Sequence, residues 1–197
     1  MRHSKYDEQL LPLLERPFFT NLEAFSKEVP RHVLAYLVKK GILERIRPGL
    51  YRSTHYEPEV DFQWEQLAVI ASSTPEGTIC LTSALCYYCL TEQIMREVWI
   101  AIPHRLKASK RSGIRFVRMR NTDLGKTEAQ IGEFTVQIFD RERCIVDAFR
   151  YLDRETAIKA LKNYLNSTDY KPQLKKLSEY AKTLRVNLKP YILTLTI

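Results

Sequence analysis

His32, Tyr36 and Lys39 are spaced so that they share one face of a helix with Ala35, and Arg31 and Lys40 stand at its margins. Arginine, lysine and histidine donate hydrogen bonds to base edges, above all to guanine N7 and O6, and to phosphate oxygens. Arg45, Arg47 and Arg52 follow closely, in a stretch suited to phosphates or to the minor groove. The chemistry these side chains suit is recognition of double-stranded DNA, with no bond made or broken. The same charges on a domain used only for protein contact would simply be solvated.

Positioning such a set takes a helix and a hairpin, and the stretch from Val29 to Arg52 reads as both. Leu34, Leu37 and Val38 form the apolar face opposite the basic one. Pro30 suits the first helical turn, and Gly41 suits the left-handed position after the last. Ile42 to Ile46 predicts a strand, Pro48-Gly49 a tight turn, and Leu50 to Arg52 the returning strand. Upstream, Tyr6 to Arg16 predicts a helix bent or delayed by Pro12. Thr20 or Asn21 can cap a second helix that runs to Lys27 and buries Leu22 and Phe25. Helix, helix, turn, helix and hairpin is the order of a winged helix-turn-helix, assigned to residues 1–55.

Three other constellations invite chemistry. The run from His104 to Arg115 is the densest cationic stretch, and Arg105, Lys107, Lys110 and Arg111 in it can add phosphate contacts. A solvated loop and a seat for an acidic protein partner are equally compatible with it. Cys86 and Cys89 have metal-like spacing without a second pair, and they sit in an apolar helical run, so core packing is expected and no metal. Asp140, Glu142 and Asp147 fall on successive turns of one helix, without the carboxylate–lysine strand pattern of a metal-dependent nuclease. Neither a glycine-rich phosphate loop nor a Ser/His/Asp arrangement occurs, so no catalytic residue, no enzyme and no cofactor are expected.

The formal net charge of +8 over 197 residues, with a pI near 9.3, favours anionic partners. That excess is local: residues 1–60 contribute +2, residues 104–120 contribute +7 and residues 151–197 contribute +5, while 61–103 and 121–150 are acidic. No apolar run reaches the roughly 20 residues that span a bilayer, and the N-terminus has no apolar signal core, so a cytoplasmic protein with reduced cysteines and no membrane partner is expected.

Residues 56–197 predict a second, mixed α/β domain with a small, mostly antiparallel sheet and a helical C-terminal part, making the whole chain α+β. A helix from about Val60, a short strand at Thr78–Leu81, and a helix capped by Thr82 come first. Val98–Ile102 is apolar on both faces and so reads as a central strand. Further strands at 114–119, 126–131 and 134–139 precede helices at 141–151, 155–165, 172–184 and 188–195.

At these residues the chain resembles the AbiEi antitoxins, the transcriptional-regulator halves of AbiE-type (type IV) toxin–antitoxin and phage abortive infection systems. The likeness starts at Pro30-Arg31, Leu37 to Arg45 and Gly49 to Arg52. It continues through Leu81-Thr82-Ser83-Ala84-Leu85, Leu90 to Gln93, Glu97 to Pro103, Val136 to Phe139, Cys144 to Tyr151 and Leu188 to Leu193. Cys89 departs from it, standing where glycine is expected at a helix end. The resemblance implies a winged helix that represses its own promoter at inverted repeats. It also implies a second domain that counteracts a nucleotidyltransferase-like toxin without forming a stable complex with it. A stand-alone, ligand-responsive regulator and a cryptic nucleic-acid-processing enzyme are the alternatives.

Overall fold

The computed structural model describes residues 6–74, 76–107 and 111–196, and the chain divides into two compact units, Met1–Asp61 and Phe62–Ile197. The first contains α1 (Asp7–Leu14), β1 (Phe19–Thr20), α2 (Asn21–Ser26), α3 (Arg31–Lys39), β2 (Leu43–Arg47) and β3 (Leu50–Ser53). Its strands form an antiparallel sheet in the order β1-β3-β2. Leu10, Leu13, Phe19, Ala24, Val29, Leu34 and Leu43 make its core.

α2 begins on a capping box: Thr20 Oγ1 accepts from the Glu23 amide at 3.2 Å, and the Glu23 carboxylate accepts from the Thr20 amide at 2.7 Å. Burial pushes the Glu23 carboxyl up, but the bonds from Thr20 and Arg16 outweigh it, so it lies below its ordinary value. Leu22 and Phe25, expected inside, are 78% and 74% exposed. Ala24 is the residue buried, and at 100° per residue it turns Leu22 to the far side and Phe25 to the flank.

α3 starts one residue later than expected, with Pro30 extended at the N-cap (ψ 155°). It ends with Gly41 at φ +72°, the Gly41 amide donating to Val38 O and the Ile42 amide to Leu37 O, both at 3.0 Å. A Cβ at Gly41 would meet nothing within 4 Å, so the glycine serves the backbone and not a tight contact. In the hairpin, Arg45 faces Tyr51 and Arg47 faces Leu50, so Ile46 forms a bulge. A bulge adds right-handed twist, which this hairpin needs because Pro48-Gly49, with Gly49 at φ +82°, is not a primed turn.

The second unit contains α4 (Phe62–Ser72), β4 (Thr78–Ile79), α5 (Leu81–Tyr87), β5 (Val98–Pro103), β6 (Ile114–Met119), β7 (Lys126–Ile131) and β8 (Phe134–Phe139). Four helices follow: α6 (Arg141–Tyr151), α7 (Arg154–Leu165), α8 (Leu174–Thr183) and α9 (Lys189–Thr196). The chain is thus mixed α/β, and the five strands of this unit run in the order β6-β5-β4-β8-β7. Antiparallel pairing is less dominant here than expected. β4–β5 and β7–β8 are antiparallel, whereas β4–β8 and β5–β6 are parallel. Alternation reports which face a side chain takes and is blind to strand direction.

α5 has no side-chain cap; Cys80 takes the N-cap position in place of Thr82, and fully buried Leu81 holds φ +47° at the strand-to-helix junction. Cys89 ends the helix in the left-handed region at φ +54°, with the Leu90 amide donating to Leu85 O at 2.8 Å. Cys89 is exposed and Cys86 half-buried, so the pair is not the core packing expected of it. Cys86 donates to Gln93 O at 3.2 Å.

Candidate nucleic-acid interface

The two faces of α3 separate as its periodicity requires. Val33 and Leu34 are buried and Leu37 and Val38 half-buried, while Arg31, His32, Ala35, Tyr36, Lys39 and Lys40 are exposed. Tyr36 is 57% exposed, and Lys40 Nζ stands 5.6 Å from its ring centroid. Ala35, placed on this face by the same spacing, adds no bulk between Arg31/His32 and Lys39, so the helix backbone can approach a surface closely there. No side chain caps the N-terminus of α3 and its first turn holds no acid, so its positive end is not neutralised locally.

The wing arginines divide. Arg45 is exposed and Arg47 half-buried. Arg52 is paired with Glu44, the residue opposite it across the hairpin, and its guanidinium lies 5.6 Å from the Tyr56 ring centroid. That pairing leaves Arg45 as the wing cation best presented to solvent.

In the basic run, Arg105 pairs with Glu76. Arg115 pairs with Glu97 at 3.2 Å and lies over the Trp99 ring at 4.4 Å. Lys107 and Arg111 are exposed, and so are Arg118 and Arg120, which the sequence reading did not single out although they belong to the same cationic stretch. Among the described residues these four form no ion pair with a carboxylate. Lys110 lies outside the described residues.

Residues 8–54, the span of this helix-turn-helix and wing, match the family model described as a transcriptional regulator, AbiEi antitoxin. The first unit is thus similar to the regulator domain of the AbiEi antitoxins. The AbiEi match stops at the end of the wing and does not extend into the second unit. A search of the curated proteins finds no match. Among the described residues, no helix is long and apolar enough to cross a membrane.

Beyond the first unit, the three carboxylates weighed as a nuclease cluster are each tied up. Asp140 caps α6 by accepting from the Arg143 amide at 2.8 Å. Glu142 accepts from Tyr164 at 2.6 Å and, like Asp140, pairs with Lys176, at 3.1 and 3.0 Å. Burial disfavours the Lys176 charge, but these two carboxylates outweigh it and hold the ammonium above its ordinary value. Burial, then the bond to Glu142, pushes the Tyr164 phenol well up. Asp147 is buried between Arg143 at 2.7 Å and Arg150 at 2.6 Å. Arg143 is fully buried and also donates to the carbonyls of Asn121 and Leu124 at 2.7 Å, fastening the loop before β7 to α6. Among the described residues, no group of three or more His, Cys, Asp or Glu is placed to hold a metal ion.

Proposed function

We propose that the chain is a DNA-binding autorepressor and an antitoxin. α3 enters the major groove at inverted repeats in its own promoter, and the second unit counteracts a nucleotidyltransferase-like toxin. The observation that carries the reading is the outer face of α3. Arg31, His32, Tyr36 and Lys39 are all exposed on a helix with an uncapped positive end, within the span matched by the AbiEi model. Arg31 and His32 occupy the end of a recognition helix that meets base edges, and Lys39 and Arg45 serve phosphates. Arg52 has a smaller part than its position in the wing suggests, because Glu44 already neutralises it. Arg47 stays in the set, as does Lys40.

A gel shift on DNA from upstream of the gene tests this. Arg31→Glu combined with Lys39→Glu is expected to weaken binding by about a hundredfold or more, since a lost base contact alone costs about 1–3 kcal/mol. Unchanged affinity with an intact fold would remove α3 from the reading. For the antitoxin role, co-expression with the adjacent gene is expected to relieve that gene's toxicity, including with the α3 double variant. A cryptic enzyme is disfavoured by Asp140, Glu142 and Asp147, which are engaged with cations and amides.

A further inference from the structure

The second unit contains a cationic cleft to which the DNA reading gives no role. Its volume is about 410 Å³, and Arg150, Arg154 and Arg185 line it together with Phe149 and Tyr191. No carboxylate lines it. Among the described residues, neither Arg154 nor Arg185 has a carboxylate partner. Arg150 shares buried Asp147 with Arg143, so one carboxylate serves two guanidiniums and a positive charge is left over on the cleft wall. Three arginines at one concavity repel one another unless an anion joins them, and a guanidinium fork matches phosphate oxygens.

Two features show that the cleft is built. The Phe149 and Tyr191 rings pack at 4.9 Å between centroids, and the Arg154 guanidinium lies 5.5 and 5.4 Å from them, which fixes that side chain on an aromatic wall. Arg185 sits at φ +57° directly after α8, where glycine would be cheaper. The Val186 amide donates to Ala181 O at 2.8 Å, so the helix end itself demands this left-handed residue, and an arginine occupies it. The Arg154 guanidinium stands against both rings, where it competes with a base for the aromatic wall.

We infer that this cleft is a binding site for an oligophosphate group, recognised through Arg150, Arg154 and Arg185, as carried by a nucleoside di- or triphosphate. The ligand is held by its phosphates and not by its base. The inference does not rest on the antitoxin role of the second unit.

Calorimetric titration of the full chain with inorganic tripolyphosphate at low salt tests it. Saturable one-to-one binding is expected, with ATP and GTP competing equally well. Arg154→Gln and Arg185→Gly are each expected to weaken binding by about tenfold, the loss of one charge-assisted contact. Arg185→Gly is the more telling variant, because glycine suits φ +57° and thermal stability is expected to hold or rise. Lys162→Gln, which removes an exposed cation outside both the cleft and the 104–120 run, is expected to leave binding unchanged. Absence of saturable binding, equal loss in Lys162→Gln, or undiminished binding in both cleft variants would overturn the site. A strong preference for one base would overturn recognition by phosphate alone.

Discussion

Asp147 shows what a single side chain does in the second unit. With its carboxylate 1% exposed between Arg143 and Arg150, it compensates a guanidinium that is entirely out of water. Asp147→Asn removes the charge while keeping the shape, leaving Arg143 buried without a counter-ion. That change is expected to cost about 3–5 kcal/mol, the usual penalty for breaking a buried pair from one side. Urea denaturation followed by circular dichroism measures it, and a loss under about 1 kcal/mol would mean that the carbonyls of Asn121 and Leu124 suffice for Arg143. The sequence shows Asp147 on the same helix as Arg143 and Arg150, at spacings that allow contact, but burial of the trio depends on packing against the 119–125 segment. The Glu44–Arg52 pair was hidden for a related reason. Which residues face each other across the wing depends on the Ile46 bulge and the Pro48-Gly49 turn together.

At the scale of elements, four helices end in the same way. After α2, α3, α5 and α8 the left-handed residues are Glu28, Gly41, Cys89 and Arg185, and each is followed by an apolar residue: Val29, Ile42, Leu90 or Val186. In each, the amide of that apolar residue bonds to a carbonyl five residues back, at 2.8–3.0 Å. Only the ending of α3 carries the glycine that sequence reading relies on. The other endings were legible at best as turns, because the signal lies in a backbone hydrogen bond and an apolar anchor and not in a residue type. The strain at the non-glycine positions is testable. Cys89→Gly is expected to stabilise the chain by about 0.5–1 kcal/mol, the left-handed cost of roughly 1–2 kcal/mol less the entropy of a freer unfolded glycine. A higher urea midpoint at unchanged slope checks this. A lower midpoint would mean that the exposed thiol contributes more than its backbone costs.

For the whole molecule, charge distribution separates two ways of holding DNA. Residues 1–60 supply only +2 of the formal +8, whereas residues 104–120 supply +7, so the first unit acting alone has few cations to set against phosphates. The outer face of α3 was readable from period and punctuation. Which members of the basic run stay available was not, because Arg105 and Arg115 find Glu76 and Glu97 far along the chain. Lys107, Arg111, Arg118 and Arg120 are the ones left to neutralise phosphates. If they do, each released counter-ion steepens the salt dependence of promoter binding, with log K falling by about 0.9 per phosphate for each unit of log salt. Arg118→Gln combined with Arg120→Gln is therefore expected to flatten that slope by about 2 while leaving sequence preference unchanged, whereas Arg31→Gln is expected to relax the preference itself. Gel shifts of the full chain across a salt series, on the promoter and on a scrambled duplex, measure both quantities. An unaltered slope in the Arg118/Arg120 variant would confine the DNA footprint to α3 and its wing.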